Sequence, residues 1–85
     1  MELEALFREA VAGSKNLSNK PGNNVLLQLY SLYKQSTDGD INIEAPSNPI
    51  DFVAKAKYNA WEELKGKSRE VAMQEYIVLV NKLKG

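Results

Sequence analysis

The stretch NNVLLQLYSLYKQSTDG, residues 23–39, decides the fold class. Leu26, Leu29, Tyr30 and Tyr33 recur at helical spacing with Leu32 beside them, so the segment predicts an amphipathic helix over Asn23–Thr37. Gly39 stands where a left-handed residue closes a helix. Upstream, Leu3, Leu6, Phe7, Ala10 and Val11 form the stripe of a first helix, which Gly13 weakens near its end. Ser18–Asn24, with Lys20-Pro21-Gly22, reads as a loop. Downstream, DINIEAPSN at 40–48 reads as a longer surface connection.

Asn48 as cap, Pro49 at the first helical position and Asp51 in the first turn predict the start of a third helix. Phe52, Ala56 and Ala60 carry its stripe with Trp61 and Leu64 adjoining, and Lys65-Gly66 stops it. Ser68 caps a last helix striped by Ala72, Tyr76, Leu79, Val80 and Leu83. No strand-like alternation occurs. The pattern predicts an all-α fold, one domain over residues 1–85, built from four helices of roughly 13–17 residues.

Composition removes several function classes. Eleven basic and eleven acidic residues balance, so a generic nucleic-acid surface is not expected. The chain holds no histidine and no cysteine, hence no imidazole base, thiol nucleophile or thiolate metal site. Nucleotide-loop, nucleophile-elbow and calcium-loop motifs do not occur. No cofactor, metal or catalytic group is expected. The acidic start MELEALFREA is unlike a signal peptide, and no run approaches the roughly 18 apolar residues of a membrane span. These features predict a cytoplasmic protein that does not span a membrane, and a monomer is the expectation.

Tyr30, Tyr33 and Lys34 fall at i, i+3 and i+4 and share one helix face. Two phenols beside an ammonium can stack a base and bind its phosphate. Such stripes more often pack a core, so spacing alone leaves both readings open. Lys55, Lys57 and Lys65 with Tyr58 and Trp61 form a second basic-aromatic group, for which a solvated face is the commoner reading. Tyr76 sits among apolar residues, and Lys15 follows the first helix, within reach of a ligand or of that helix's last carbonyls.

Two longer runs go further than spacing. YSLYKQSTDGDIN at 30–42 and KAKYNAWEELKGKSREVAMQEYI at 55–77, with FREAVAGSKNL at 7–17 and KPGNN at 20–24, resemble the acyl-CoA-binding protein family in order and spacing. The resemblance implies a four-helix up-down-down-up bundle that binds, buffers and transports medium- to long-chain acyl-CoA without changing it. Acyl-CoA-using enzymes are then the implied partners. It assigns Lys15, Tyr30, Tyr33, Lys34, Lys57 and Tyr76 to the head group, with Lys57 helping to hold the ribose 3′-phosphate. Leu27, Phe52 and Tyr58 are the candidates for the acyl-chain groove. The alternative is a helical protein–protein interaction module without a CoA ligand. The chain departs from the family pattern at Tyr58, commonly tryptophan, at Val53, a lysine in some members, and at Leu32 and Asn16. EAPSNPIDF is one residue longer than usual.

Overall fold

The computed structural model describes residues 2–17 and 20–84, and these form four helices and no strand. They are α1 (Glu2–Ser14), α2 (Asn23–Thr37), α3 (Phe52–Glu62) and α4 (Arg69–Lys84). Ser18 and Asn19 of the predicted loop lie outside the described residues.

Side-chain pairs fix the direction of each helix. Phe7 meets Tyr76, and Gly13, further along α1, lies against Val80 and Lys84, further along α4. These two helices therefore run parallel. Lys57 reaches Tyr30 and Trp61 meets Lys34, so α2 and α3 are parallel as well. Arg69 at the head of α4 bonds the carbonyl of Asp38 at the foot of α2, which makes α2 and α4 antiparallel. The order is up-down-down-up, as the resemblance implied. A tight hairpin cannot join two parallel neighbours, hence the long connection after α2.

The core is a seam where α4 meets both α1 and α2: Phe7, Ala10, Leu29, Leu32, Ala72, Tyr76 and Val80. On α4 the predicted stripe holds, with Ala72, Tyr76 and Val80 buried and Leu79 and Leu83 packed against them. On α2 it does not. Leu26 and Tyr33 are exposed, while Ser31, Leu32, Gln35 and Ser36 are buried. Contact with α3 on one side and α4 on the other turns a wider arc of α2 inward. The serines bury because each hydroxyl donates to a carbonyl of the same helix, Ser31 to Gln28 at 3.0 Å and Ser36 to Leu32 at 2.6 Å. Leu32, a departure from the family pattern, is a core residue.

The start of α3 also differs from expectation. Asp51, rather than Asn48, is the cap: its carboxylate accepts the Ala54 N–H at 3.0 Å. The Asn48 side chain instead accepts the Ile50 N–H at 3.1 Å, so Asn48, Pro49 and Ile50 make a turn ahead of the helix. Phe52 is left 75% exposed and is no part of an inward stripe. At 11 residues α3 is also shorter than predicted. After Glu62 the chain tightens into i→i+3 turns ending at Gly66, whose φ is 93°. Ser68 caps α4 as expected, accepting the Val71 N–H at 3.1 Å.

Candidate functional site

Two lysines are each seated over an aromatic ring between the parallel helices α2 and α3. Lys57 Nζ lies 5.3 Å from the centroid of Tyr30, and Lys34 Nζ lies 5.1 Å from that of Trp61. Both are cation–π distances. Lys34 also forms an ion pair with Asp38, Nζ to Oδ2 2.7 Å, one turn further along. The hydrogen bond to Asp38 raises the Lys34 pKa above its ordinary value, and the same bond lowers that of Asp38. The face is therefore cationic at neutral pH, with one carboxylate at its edge.

Tyr33 extends the site toward α1. Its ring stacks on Phe7 with centroids 6.0 Å apart, and Phe7 meets Tyr76 edge-on at 5.2 Å. The Tyr76 hydroxyl donates to Ser14 Oγ at 3.1 Å, and that oxygen in turn donates to the Val11 carbonyl at 2.7 Å. An aromatic row thus leads from the open face of α2 to the end of α1. Tyr76 itself is buried in this row. Among the described residues neither Tyr30 nor Tyr33 hydrogen-bonds through its hydroxyl, so both phenols are available to a ligand.

Lys15 is exposed just past α1. The helix carbonyls, one of its two possible partners, are used otherwise. The Ala12 carbonyl accepts from the Lys15 backbone N–H and the Asn16 side chain, the latter at 3.3 Å, and the Gly13 carbonyl accepts from the Asn16 N–H. Asn16, a departure from the family pattern, is here the capping side chain.

The three acyl-groove candidates are placed apart. Tyr58 is half-buried on α3, its phenol pushed up by desolvation and by the neighbouring Glu62 carboxylate. Phe52 is exposed at the head of α3. Leu27 lines a separate cleft of about 830 Å³ between α2, α3 and α4, with Leu32, Leu64, Val78 and Leu79. A second cleft of about 660 Å³ lies between the start of α1, the end of α2 and the start of α4, bordered by Arg8, Tyr33 and Arg69.

The loop after α2 is held by residues that spacing did not single out. Gln35 is fully buried, and its amide donates to Asp40 Oδ1 at 2.9 Å and to the Lys67 carbonyl at 2.7 Å. Asp40 Oδ1 also accepts the Gly66 N–H at 2.8 Å. These bonds, Gly66 first and Gln35 second, hold the Asp40 carboxyl below its ordinary range. The Trp61 indole N–H donates to the Gly39 carbonyl at 3.0 Å, with the ring 1% exposed. Gly39 has φ 81°, the left-handed region predicted for it. QSTDGD at 35–40 is therefore a fastening that fixes Lys34 and Trp61 at the end of the face.

This is a small helical bundle carrying a basic-aromatic face. The acyl CoA binding protein family model matches residues 4–80. An acyl-CoA-binding protein of Dictyostelium discoideum is 51% identical over 77 residues, covering 91% of this chain and 90% of that one. That of Saccharomyces cerevisiae is 46% identical over 78 residues, covering 92% and 88%. The crystal structure of Oryza sativa acyl-CoA-binding protein 2 superposes with a TM-score of 0.88 at 36% identity, covering 95% of this chain and 89% of that one. The chain belongs to the acyl-CoA-binding protein family.

Proposed function

We infer that this chain binds medium- to long-chain acyl-CoA esters and carries and buffers them without chemical change, as a single domain over residues 1–85. The observation that carries this reading is the pair of lysines, Lys34 and Lys57, held over aromatic rings on two parallel helices beside two phenols that no hydrogen bond engages among the described residues. A ribose 3′-phosphate is a compact dianion. Ammonium groups converging from α2 and α3, with a Tyr30 or Tyr33 hydroxyl, match its charge and its acceptors. The purine is assigned to the exposed ring of Tyr33, which Phe7 and Tyr76 back from the core, with Lys15 at the far end. The acyl chain is assigned to the apolar flank of the face, toward Tyr58 and Phe52, and the cleft at Leu27 is its other available route.

The sequence holds neither histidine nor cysteine, and the face offers ammonium and phenol groups suited to binding. The ligand is expected to leave unchanged, and a cytoplasmic monomer that serves acyl-CoA-using enzymes fits this chemistry. Calorimetric titration with a long-chain acyl-CoA, free coenzyme A and the free fatty acid tests the reading. Acyl-CoA is expected to bind tightest because it alone uses both the cationic face and apolar burial. Equally weak binding of all three would sink the carrier reading and favour a protein–protein module. An enoyl-CoA turnover assay is expected to show none.

A further inference from the structure

We propose that Arg69, the first residue of α4, is a positioning residue for the head-group site: it takes over the Asp38 carboxylate when a phosphate engages Lys34. The proposal deepens the acyl-CoA reading and rests on it for the identity of the anion.

Asp38 stands where a carboxylate on its own is unfavourable. It is the C-cap of α2, with its backbone N–H bonded to the Lys34 carbonyl at 2.7 Å, and a helix C-terminus carries partial negative charge. A carboxylate there needs a cation. In this structure that cation is Lys34, whose Nζ lies 2.7 Å from Oδ2.

A phosphate on Lys34 disturbs the arrangement. Charge-assisted hydrogen bonds are short, so a phosphate oxygen on the same ammonium lies within about 6 Å of the carboxylate. Two anions at that range repel. The loop backbone is not free to carry the carboxylate off, because the Gly39 carbonyl accepts the Trp61 indole N–H at 3.0 Å and Gly39 holds φ at 81°. Relief therefore falls to the Asp38 side chain, which can turn.

Arg69 is the second cation at this position, and it reaches Asp38 from a different helix. Its Nη2 donates to the Asp38 carbonyl at 3.5 Å. A Cβ on Gly39 would stand 3.4 Å from Nε and 3.5 Å from Nη2, so the guanidinium rests against residues 38 and 39. The carbonyl engages one of its five donors. After Lys34 and Thr37, the Arg69 charge also helps to hold the Asp38 carboxyl below its ordinary range. Glu4 and Glu70 border the same cleft as Arg69, but the contact that places its guanidinium is with residue 38. A turn of the Asp38 side chain thus exchanges one cation for another and leaves Lys34 to the phosphate.

Calorimetry of the whole chain with a long-chain acyl-CoA at low ionic strength tests the exchange. Arg69→Gln is expected to weaken binding about two- to fivefold, the range of one exposed ion pair, and Arg69→Lys to restore most of the loss. In an Asp38→Asn background, which has no carboxylate to hand over, Arg69→Gln should change affinity by less than about 1.5-fold. An equal loss in both backgrounds overturns the proposal by making Arg69 a direct or long-range partner of the ligand. No loss in the wild-type background overturns it as well. A second measurement needs no ligand. Lys34→Ala removes the first cation, and NMR titration should find the Asp38 carboxyl still below its ordinary value until Arg69→Gln is added. Identical Asp38 titrations in the single and double variants overturn the exchange. Acyl-CoA binding without this coupling removes the inference alone, whereas a hand-over seen by titration without acyl-CoA binding removes the carrier reading and leaves the exchange.

Discussion

Lys34 Nζ is 2.7 Å from the Asp38 carboxylate while standing over the Trp61 ring, so any anion that approaches the face meets a cation already partnered. The pair is half-exposed, and its own contribution to stability is small. The proposed head-group role makes its effect one on binding: Asp38→Asn removes the carboxylate beside Lys34 and leaves the ammonium free. Affinity for acyl-CoA should rise about two- to fivefold at low ionic strength, with the gain shrinking in salt. Lys34→Ala should weaken binding far more than it lowers the melting temperature. Matching losses of both would assign Lys34 to the fold alone.

Asp40 predicts an acid response. The Gly66 N–H and the Gln35 amide bond its charged form, so its folded pKa lies below the unfolded value of about 3.9. A depressed carboxylate adds stability above the unfolded pKa and loses it as pH falls through the folded one. Asp40→Asn should therefore lower the melting temperature at neutral pH, and the gap should close as pH falls through the folded value. A gap of equal size at both ends would mean that shape, and not charge, is what Asp40 provides.

The helices were legible because hydropathy at 3.6-residue spacing reports burial, and α4 matches it residue for residue. The misplaced face of α2 shows the limit. Ser31, Gln35 and Ser36 are buried by hydrogen bonds that a hydropathy pattern counts as exposure. Phe52 failed for a different reason: with Asp51 as the cap, Phe52 is the first helical residue and is left open to solvent. At the site, Lys34 and the two α2 tyrosines share a face by spacing, but the pairing of Lys57 with Tyr30 needs the parallel α2–α3 register. The resemblance implied the parallel order of the two helices, which no local pattern could, and the structure gives the register.

Gly39 is fixed from two directions. Its φ of 81° suits glycine, and a Cβ there would stand 3.4 Å from the Arg69 guanidinium. Gly39→Ala should cost about 1–2 kcal/mol from backbone strain. Trp61→Phe, which leaves the Gly39 carbonyl without its indole donor, should cost about 1–3 kcal/mol. Denaturant unfolding of both variants checks this. The two effects should not add in the double variant, since both loosen the same loop.

Tyr76 separates packing from recognition. Tyr76→Phe keeps the edge-on contact with Phe7 and deletes only the hydrogen bond to Ser14, worth about 0.5–1.5 kcal/mol. If its hydroxyl also serves the head group, acyl-CoA affinity should fall more than tenfold. A loss of stability with affinity unchanged would restrict Tyr76 to the core.

The route of the acyl chain follows from the separation of Leu27 and Phe52. Burying a chain contributes about 0.8 kcal/mol per CH₂, so affinity should climb with chain length until the apolar surface ends. Phe52 is exposed at the head of α3, whereas Leu27 lines the cleft between α2, α3 and α4. A chain that follows the face passes Tyr58 and Phe52, and Phe52→Ser should then flatten the rise of affinity across C8, C12 and C16 acyl-CoAs. Phe52 is too exposed for its loss to unfold the bundle, so that flattening would not be a stability effect. A Leu27→Ser variant should keep the rise while lowering the melting temperature, because it removes a half-buried side chain. The opposite pattern, a flat series for Leu27→Ser and a steep one for Phe52→Ser, would move the chain into the cleft.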